Sequence, residues 1–109
     1  MRVYISGRIT DNPDYKKQFE DAEIWLETIG HKPLNPAKLN QIMDEEEYTH
    51  EDYMRIDLAM LGLCNAIYML NGWNRSMGAN QEYGYALGKG LKIVFENMSE
   101  ENIIKTLKG

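Results

Sequence analysis

The chain has 109 residues, a formal net charge of −5 and 43% hydrophobic residues, enough for one domain with a real core and too little for two independent ones. The acidic balance argues against broad binding to polymeric nucleic acid or to anionic membranes, which takes a basic face, so an anionic ligand has to be met by local groups. One cysteine, Cys64, excludes an internal disulfide and a thiolate metal site and reads as a small buried residue in a reducing cytoplasm.

Met1 to Gly7 is too short an apolar run for a signal peptide, and no stretch approaches the roughly 20 apolar residues of a membrane span. Val3-Tyr4-Ile5 predicts a first strand that breaks at Ser6-Gly7-Arg8. Asn12 and Pro13 then predict the cap and first-turn proline of a helix. Its apolar face, Tyr15, Phe19, Ala22, Leu26 and Ile29, ends at Gly30. His31-Lys32-Pro33-Leu34 predicts a short second strand, whose prolines put it at an edge, running into a loop at Asn35-Pro36.

Asp44 to Glu47 are expected to form a solvated, dipole-favoured helix entrance without chemistry. The helix that follows, roughly Tyr48 to Leu63, carries Met54, Leu58 and Leu61 on one face. Asp57 falls within that stripe. It either faces apolar surroundings, where a carboxylate needs a partner, or sits at the stripe's edge and is satisfied by water or a backbone amide.

Asn65 to Leu70 is a nearly continuous apolar run, predicted as a central parallel strand covered on both faces. It feeds the polar, glycine-rich stretch from Asn71 to Ala86, which opens a helix over Gly78 to Gly90. Glu82 is expected in the first turn of that helix and on its flank beside Tyr85, where backbone N–H groups and the helix dipole favour an ionised acid. Leu91 to Phe95 predicts the last strand, and Ser99-Glu100-Glu101 caps a closing helix through Ile103, Ile104 and Leu107.

This alternation predicts an α/β fold: a single three-layer flavodoxin-like or Rossmann-like domain, with a parallel sheet of about four strands in the order 2-1-3-4 and helices on both faces. Such sheets bind ligands beyond the carboxyl ends of the strands where the order reverses. Here that is where Ser6-Gly7-Arg8 meets the loop from Asn71 to Glu82. Two carboxylates at a crevice suit displacement at an anomeric carbon. Glu82 would attack, and Asp57 would orient it or relay a proton. His31 and His50 lack ligand-like spacing and read as solvated surface residues, so no metal and no cofactor is expected. No dinucleotide fingerprint follows Gly7.

Tyr4-Ile5-Ser6-Gly7, Asp57 and the run Ser76-Met77-Gly78-Ala79-Asn80-Gln81-Glu82-Tyr83-Gly84-Tyr85-Ala86 resemble the nucleoside 2-deoxyribosyltransferase superfamily. The signature there is Gly, a small residue, two variable positions, Glu, then Gly-x-Ala. The likeness spans nearly the whole chain, making residues 1–109 one domain of that type. It is nearest to a subgroup of short bacterial and phage proteins with Gly-Trp-x-x-Ser-x-Gly-Ala, related to deoxynucleoside 5′-monophosphate N-glycosidases.

The resemblance implies cleavage of an N-glycosidic bond, or deoxyribosyl transfer, on a nucleoside or nucleoside 5′-monophosphate. It makes Glu82 the nucleophile and Asp57 its assistant. Ser76, Gly7 and Arg8 fall on the phosphate side, with Ser6, Asn35, Asn71 and Gly78 lining the pocket. Arg75 is a second candidate for the phosphate or a solvated loop charge. Trp73 either stacks on a base or packs on its own domain or a neighbouring subunit. Ala79 replaces the usual threonine of the signature, and Asn65 replaces the aspartate common before the third strand. The alternative reading is a non-catalytic nucleotide-binding or regulatory module using the same crevice. Family habit and the aromatics Trp73, Tyr83 and Tyr85 imply a homodimer or higher homo-oligomer.

Overall fold

β1 (Arg2–Ser6) is buried at every position after the first and lies between two neighbours in the computed structural model, which describes residues 1–108. β2 (Lys32–Leu34) is its edge neighbour, and β3 (Ala66–Met69) and β4 (Lys92–Phe95) complete a four-stranded sheet in the order β2-β1-β3-β4. All three pairings are parallel. The order and direction match the expectation from the strand–helix alternation, and β3, buried throughout, is the doubly covered central strand.

The helices are α1 (Tyr15–Thr28), α2 (His50–Leu61), α3 (Met77–Lys89) and α4 (Glu100–Lys108). Alternate strand residues serve two cores. On one side Val3, Ile5, Tyr68 and Val94 pack with Phe19 and Leu26 of α1 and with Ile103 and Leu107 of α4. On the other, Tyr4, Ile67 and Met69 pack with Leu61 of α2 and with Ala79 and Ala86 of α3. Among the described residues no helix is long and apolar enough to cross a membrane.

Several boundaries differ from expectation, each for a local reason. α1 starts at Tyr15, so Asn12 and Pro13 lie in the preceding turn. The Asn12 amide is spent instead on the Arg8 carbonyl, at 2.8 Å, and on Gln18. α2 starts at His50 because Thr49 and Asp52 form a capping box, which leaves Asp44 to Glu47 outside the helix. The loop expected after β2 is a 3-10 turn, Pro36–Gln41, capped by Asn35.

The largest difference concerns Glu82. Ser76 caps α3 through its hydroxyl, so the helix starts at Met77 and Glu82 is its sixth residue, beyond the first turn. It is also buried rather than on the flank, at 4% exposure. The amides of the helix start are therefore not what holds its carboxylate.

Candidate active site

Tyr4 and Ser6 point to the same face of β1 because side chains two apart on a strand share a face. Both are fully buried, and their hydroxyls converge on Glu82. The Tyr4 hydroxyl donates to Glu82 Oε2 and the Ser6 hydroxyl to Oε1, each at 2.6 Å. Hydrogen bonds of this length to a carboxylate are charge-assisted and fix the carboxyl plane.

Asp57, on the inner side of α2, faces the same carboxyl. Its Oδ1 atom is buried without a hydrogen-bond partner. Burial first, then the charge of Glu82, push the Asp57 carboxyl well above the usual range. Glu82 is raised too, by burial, against the opposing pull of the hydrogen bonds from Ser6 and Tyr4. Two carboxyls buried side by side titrate as a pair, which keeps one proton between them to higher pH than an ordinary carboxylate would. Burial and the Glu82 charge raise Tyr4 as well, so it stays a donor.

Asp57 and Glu82 line a crevice of about 600 Å³. Gly7, Arg8, Ser76, Gly78, Asp57 and Glu82 all line it, joining six of the residues selected from sequence. Arg75 joins them, and among the described residues neither Arg8 nor Arg75 belongs to an ion pair. The Ser76 oxygen accepts the Ala79 N–H at 3.0 Å, which leaves its proton free to donate into the crevice. Ser6 does not line the crevice: its hydroxyl is committed to Glu82.

Three selected residues lie elsewhere. Asn35 is consumed by capping, accepting from Ala37 N at 3.0 Å, and by donating to Glu23. Pro36 and Asn40 take its place in the wall. Asn71 and Trp73 line a separate notch with Phe95 and Asn97. The Asn71 N–H is bound by Glu96, and Trp73 packs on Tyr83 with ring centroids 4.8 Å apart.

The crevice also has walls that sequence pattern did not mark. Tyr48, Tyr53 and Met54 contribute, as does His50, read above as a solvated histidine. His50 stands at the first turn of α2 with Nε2 3.3 Å from Gln81 Oε1. The i, i+3, i+4 spacing of His50, Tyr53, Met54 and Asp57 is the signal that places them on one side of α2. Among the described residues no group of three or more His, Cys, Asp or Glu is arranged to hold a metal ion.

Gly7 fixes the shape of the crevice floor. A Cβ added there would lie 2.8 Å from Leu70 Cδ1 and 3.2 Å from Phe19 Cζ. Gly7→Ala is therefore expected to cost about 1–3 kcal/mol through overpacking, read as a lower denaturation midpoint in urea with an unchanged slope.

The chain matches, over residues 1–95, the model of a family described as a domain of unknown function (DUF4406). No curated protein matches its sequence. Its fold is similar to a 2-deoxyribosyltransferase from Bacillus psychrosaccharolyticus, with a TM-score of 0.70 and 19% identity over 97% of this chain and 82% of that one. It is also similar to a 2-desoxiribosyltransferase from Leishmania mexicana, with a TM-score of 0.65 and 21% identity over 86% of this chain and 62% of that one. A CMP N-glycosidase from Clostridium botulinum gives a TM-score of 0.59 at 21% identity, over 97% and 81% of the two chains. At these identities the likeness is one of fold.

Proposed function

We propose that this chain, which belongs to the DUF4406 family, breaks the N-glycosidic bond of a nucleoside or nucleoside 5′-monophosphate through a covalent glycosyl intermediate on Glu82. The observation that carries the reading is the buried Glu82 carboxyl, held by Tyr4 and Ser6 hydroxyls and faced by a second acid, with both acids lining a crevice. Support comes from the shared fold with two deoxyribosyltransferases and a CMP N-glycosidase.

In this reading a Glu82 oxygen bonds to C1′ as the bond from C1′ to the base nitrogen breaks. The departing base takes the proton that Asp57 carries, and the Asp57 carboxylate left behind then accepts a proton from water as that water attacks C1′. The attack frees Glu82, returns the proton to Asp57 and releases the sugar with its configuration retained. A second base in place of water would give transfer instead of hydrolysis. No step consumes a metal or cofactor.

The test is chromatographic: nucleosides and their 5′-monophosphates are incubated with the protein, with and without an acceptor base, and free or exchanged base is measured. Nucleotide binding by calorimetry with no base released over long incubation would replace this reading with the non-catalytic one.

Arg8, Arg75 and the Ser76 hydroxyl face the crevice from the two loops that flank the sheet's switch point. A phosphate there would receive charge-assisted hydrogen bonds in an otherwise acidic protein. Arg8→Ala is expected to raise KM for a monophosphate about 10- to 100-fold, the scale of a hydrogen bond to a charged group, with little change for the free nucleoside. Equal losses on both substrates would remove the phosphate from this end.

A further inference from the structure

We propose that Gln18 is a positioning residue that couples the two loops of the crevice, holding Arg8 on one and Arg75 with Ser76 on the other at a set separation for an anionic group. The proposal rests on the phosphate end described above. The loop after β1 brings Arg8 and Asp11 to the crevice wall, and the loop after β3 brings Arg75 and Ser76. Beyond the bond from Leu70 N–H to the Ser6 carbonyl, at 2.8 Å, no backbone hydrogen bond joins residues 7–12 to residues 71–76 among the described residues.

What joins the loops is a chain of two side-chain amides. Asn12 Nδ2 donates to the Arg8 carbonyl at 2.8 Å and to Gln18 Oε1 at 3.0 Å, and Gln18 Nε2 donates to the Asn71 carbonyl at 3.0 Å. Both ends of the chain are main-chain carbonyls, which only accept, so each amide has a single orientation that makes every bond. Turning either one sets oxygen against oxygen. Asn71 is held from its other side as well, its N–H donating to the Glu96 carboxylate at 2.7 Å. The start of the second loop is thus clamped between α1 and the end of β4.

The first loop carries its own mark of being held. Asp11 has φ +58°, in the left-handed region that a residue with a side chain keeps only where its surroundings fix it. Asn12 closes that turn, with its N–H on the Ile9 carbonyl at 3.2 Å and its side chain on Arg8. Gln18 then ties the closed turn to the opposite loop. Gln18 is not part of the crevice wall, so it acts through the loops and not by touching a ligand. An anion received by both loops binds more tightly when their donors are spaced before it arrives, because the cost of ordering them is not met on binding.

Gln18→Met tests the coupling, since it keeps the length of the side chain and removes both of its hydrogen bonds. Amide hydrogen exchange is expected to speed up in residues 8–12 and in residues 71–76 together, with the strands unchanged. Asn12→Ala cuts the same chain at its other link and is expected to loosen residues 71–76 as Gln18→Met does. KM for a nucleoside 5′-monophosphate is expected to rise about 3- to 10-fold in Gln18→Met, the scale of a hydrogen bond, with kcat and the free nucleoside affected much less. Arg8→Ala is then expected to cost less in the Gln18→Met background than in the wild type, as coupled groups do. If the wild type releases no base, calorimetric Kd values for the same two ligands take the place of KM, so failure of the proposed chemistry is seen apart from failure of the clamp. Exchange that speeds up in one loop only overturns the proposal. So do equal losses on monophosphate and nucleoside, or effects of Arg8→Ala and Gln18→Met that simply multiply.

Discussion

Glu82→Gln is expected to reduce base release on the order of 10⁴-fold or more, the scale on which a catalytic nucleophile is lost, and at the same time to stabilise the fold. The two effects have one origin. Glu82 is 4% exposed and burial raises its pKa, so the charge that the proposed nucleophile would need also costs folding free energy. A glutamine keeps the shape. Tyr4 and Ser6 can turn their hydroxyls so that one still donates to the amide oxygen and the other accepts from the amide nitrogen. Both hydroxyls keep a hydrogen-bond partner, and the buried charge is gone. The gain is expected to be about 1–3 kcal/mol at pH 8, measured by urea denaturation beside the base-release assay. Glu82→Ala is the poorer test of chemistry, because it orphans both buried hydroxyls at about 1–3 kcal/mol each. Base release by Glu82→Gln at the wild-type rate would remove Glu82 as nucleophile, whatever the stability shows.

The strand order was accessible from sequence because it depends on coarse features: two apolar runs, Val3 to Ile5 and Ala66 to Leu70, separated by amphipathic segments, with right-handed crossovers limiting the topologies. The crevice between Gly7 and Ser76 follows directly from that order. The environment of Glu82 did not. Hydrophobic periodicity treats a glutamate as a surface residue, and the hydroxyls that make its burial tolerable are 78 and 76 positions away along the chain. The equivalence of Tyr4 and Ser6 on β1 was visible as strand alternation, but nothing local says that α3 crosses that face.

Asn35 shows the opposite failure. Its position before Pro36 signals a turn, and the short-range chemistry of capping uses its side chain before any ligand can. Trp73 packs against Tyr83 and Phe95 from the loop between β3 and α3, so an aromatic in a polar stretch belongs to the apolar layer beside the site. Asn65, which departs from the signature the sequence resembles, accepts from Arg2 N–H through its side-chain oxygen at 2.9 Å and ties the start of β3 to β1.

Asp57→Asn is expected to slow base release about 10²- to 10⁴-fold, the usual range for loss of a general acid, and to change how stability depends on pH. Asp57 and Glu82 both have raised pKa values in the folded chain. A carboxyl raised by folding binds its proton more tightly in the native state than in the unfolded one. Its contribution is complete at pH values below the unfolded carboxylate pKa and is lost as pH rises through the folded values. The wild type should therefore lose stability from acid toward alkaline pH across the window in which the pair gives up its shared proton. Asparagine at position 57 carries no titrating proton and places no second charge beside Glu82. The decline should flatten, and the melting temperature above neutral pH should rise by several degrees, since about 1 kcal/mol corresponds to roughly 4–8 °C in a domain of this size. Base release in the wild type should fall on the alkaline side of the same window, as Asp57 loses the proton it passes to the departing base. With asparagine in place that alkaline limb should vanish, leaving a slow rate governed by Glu82 ionisation on the acid side. An Asp57→Asn variant that keeps both the wild-type rate and the wild-type alkaline limb would show that the proton on the leaving base comes from elsewhere.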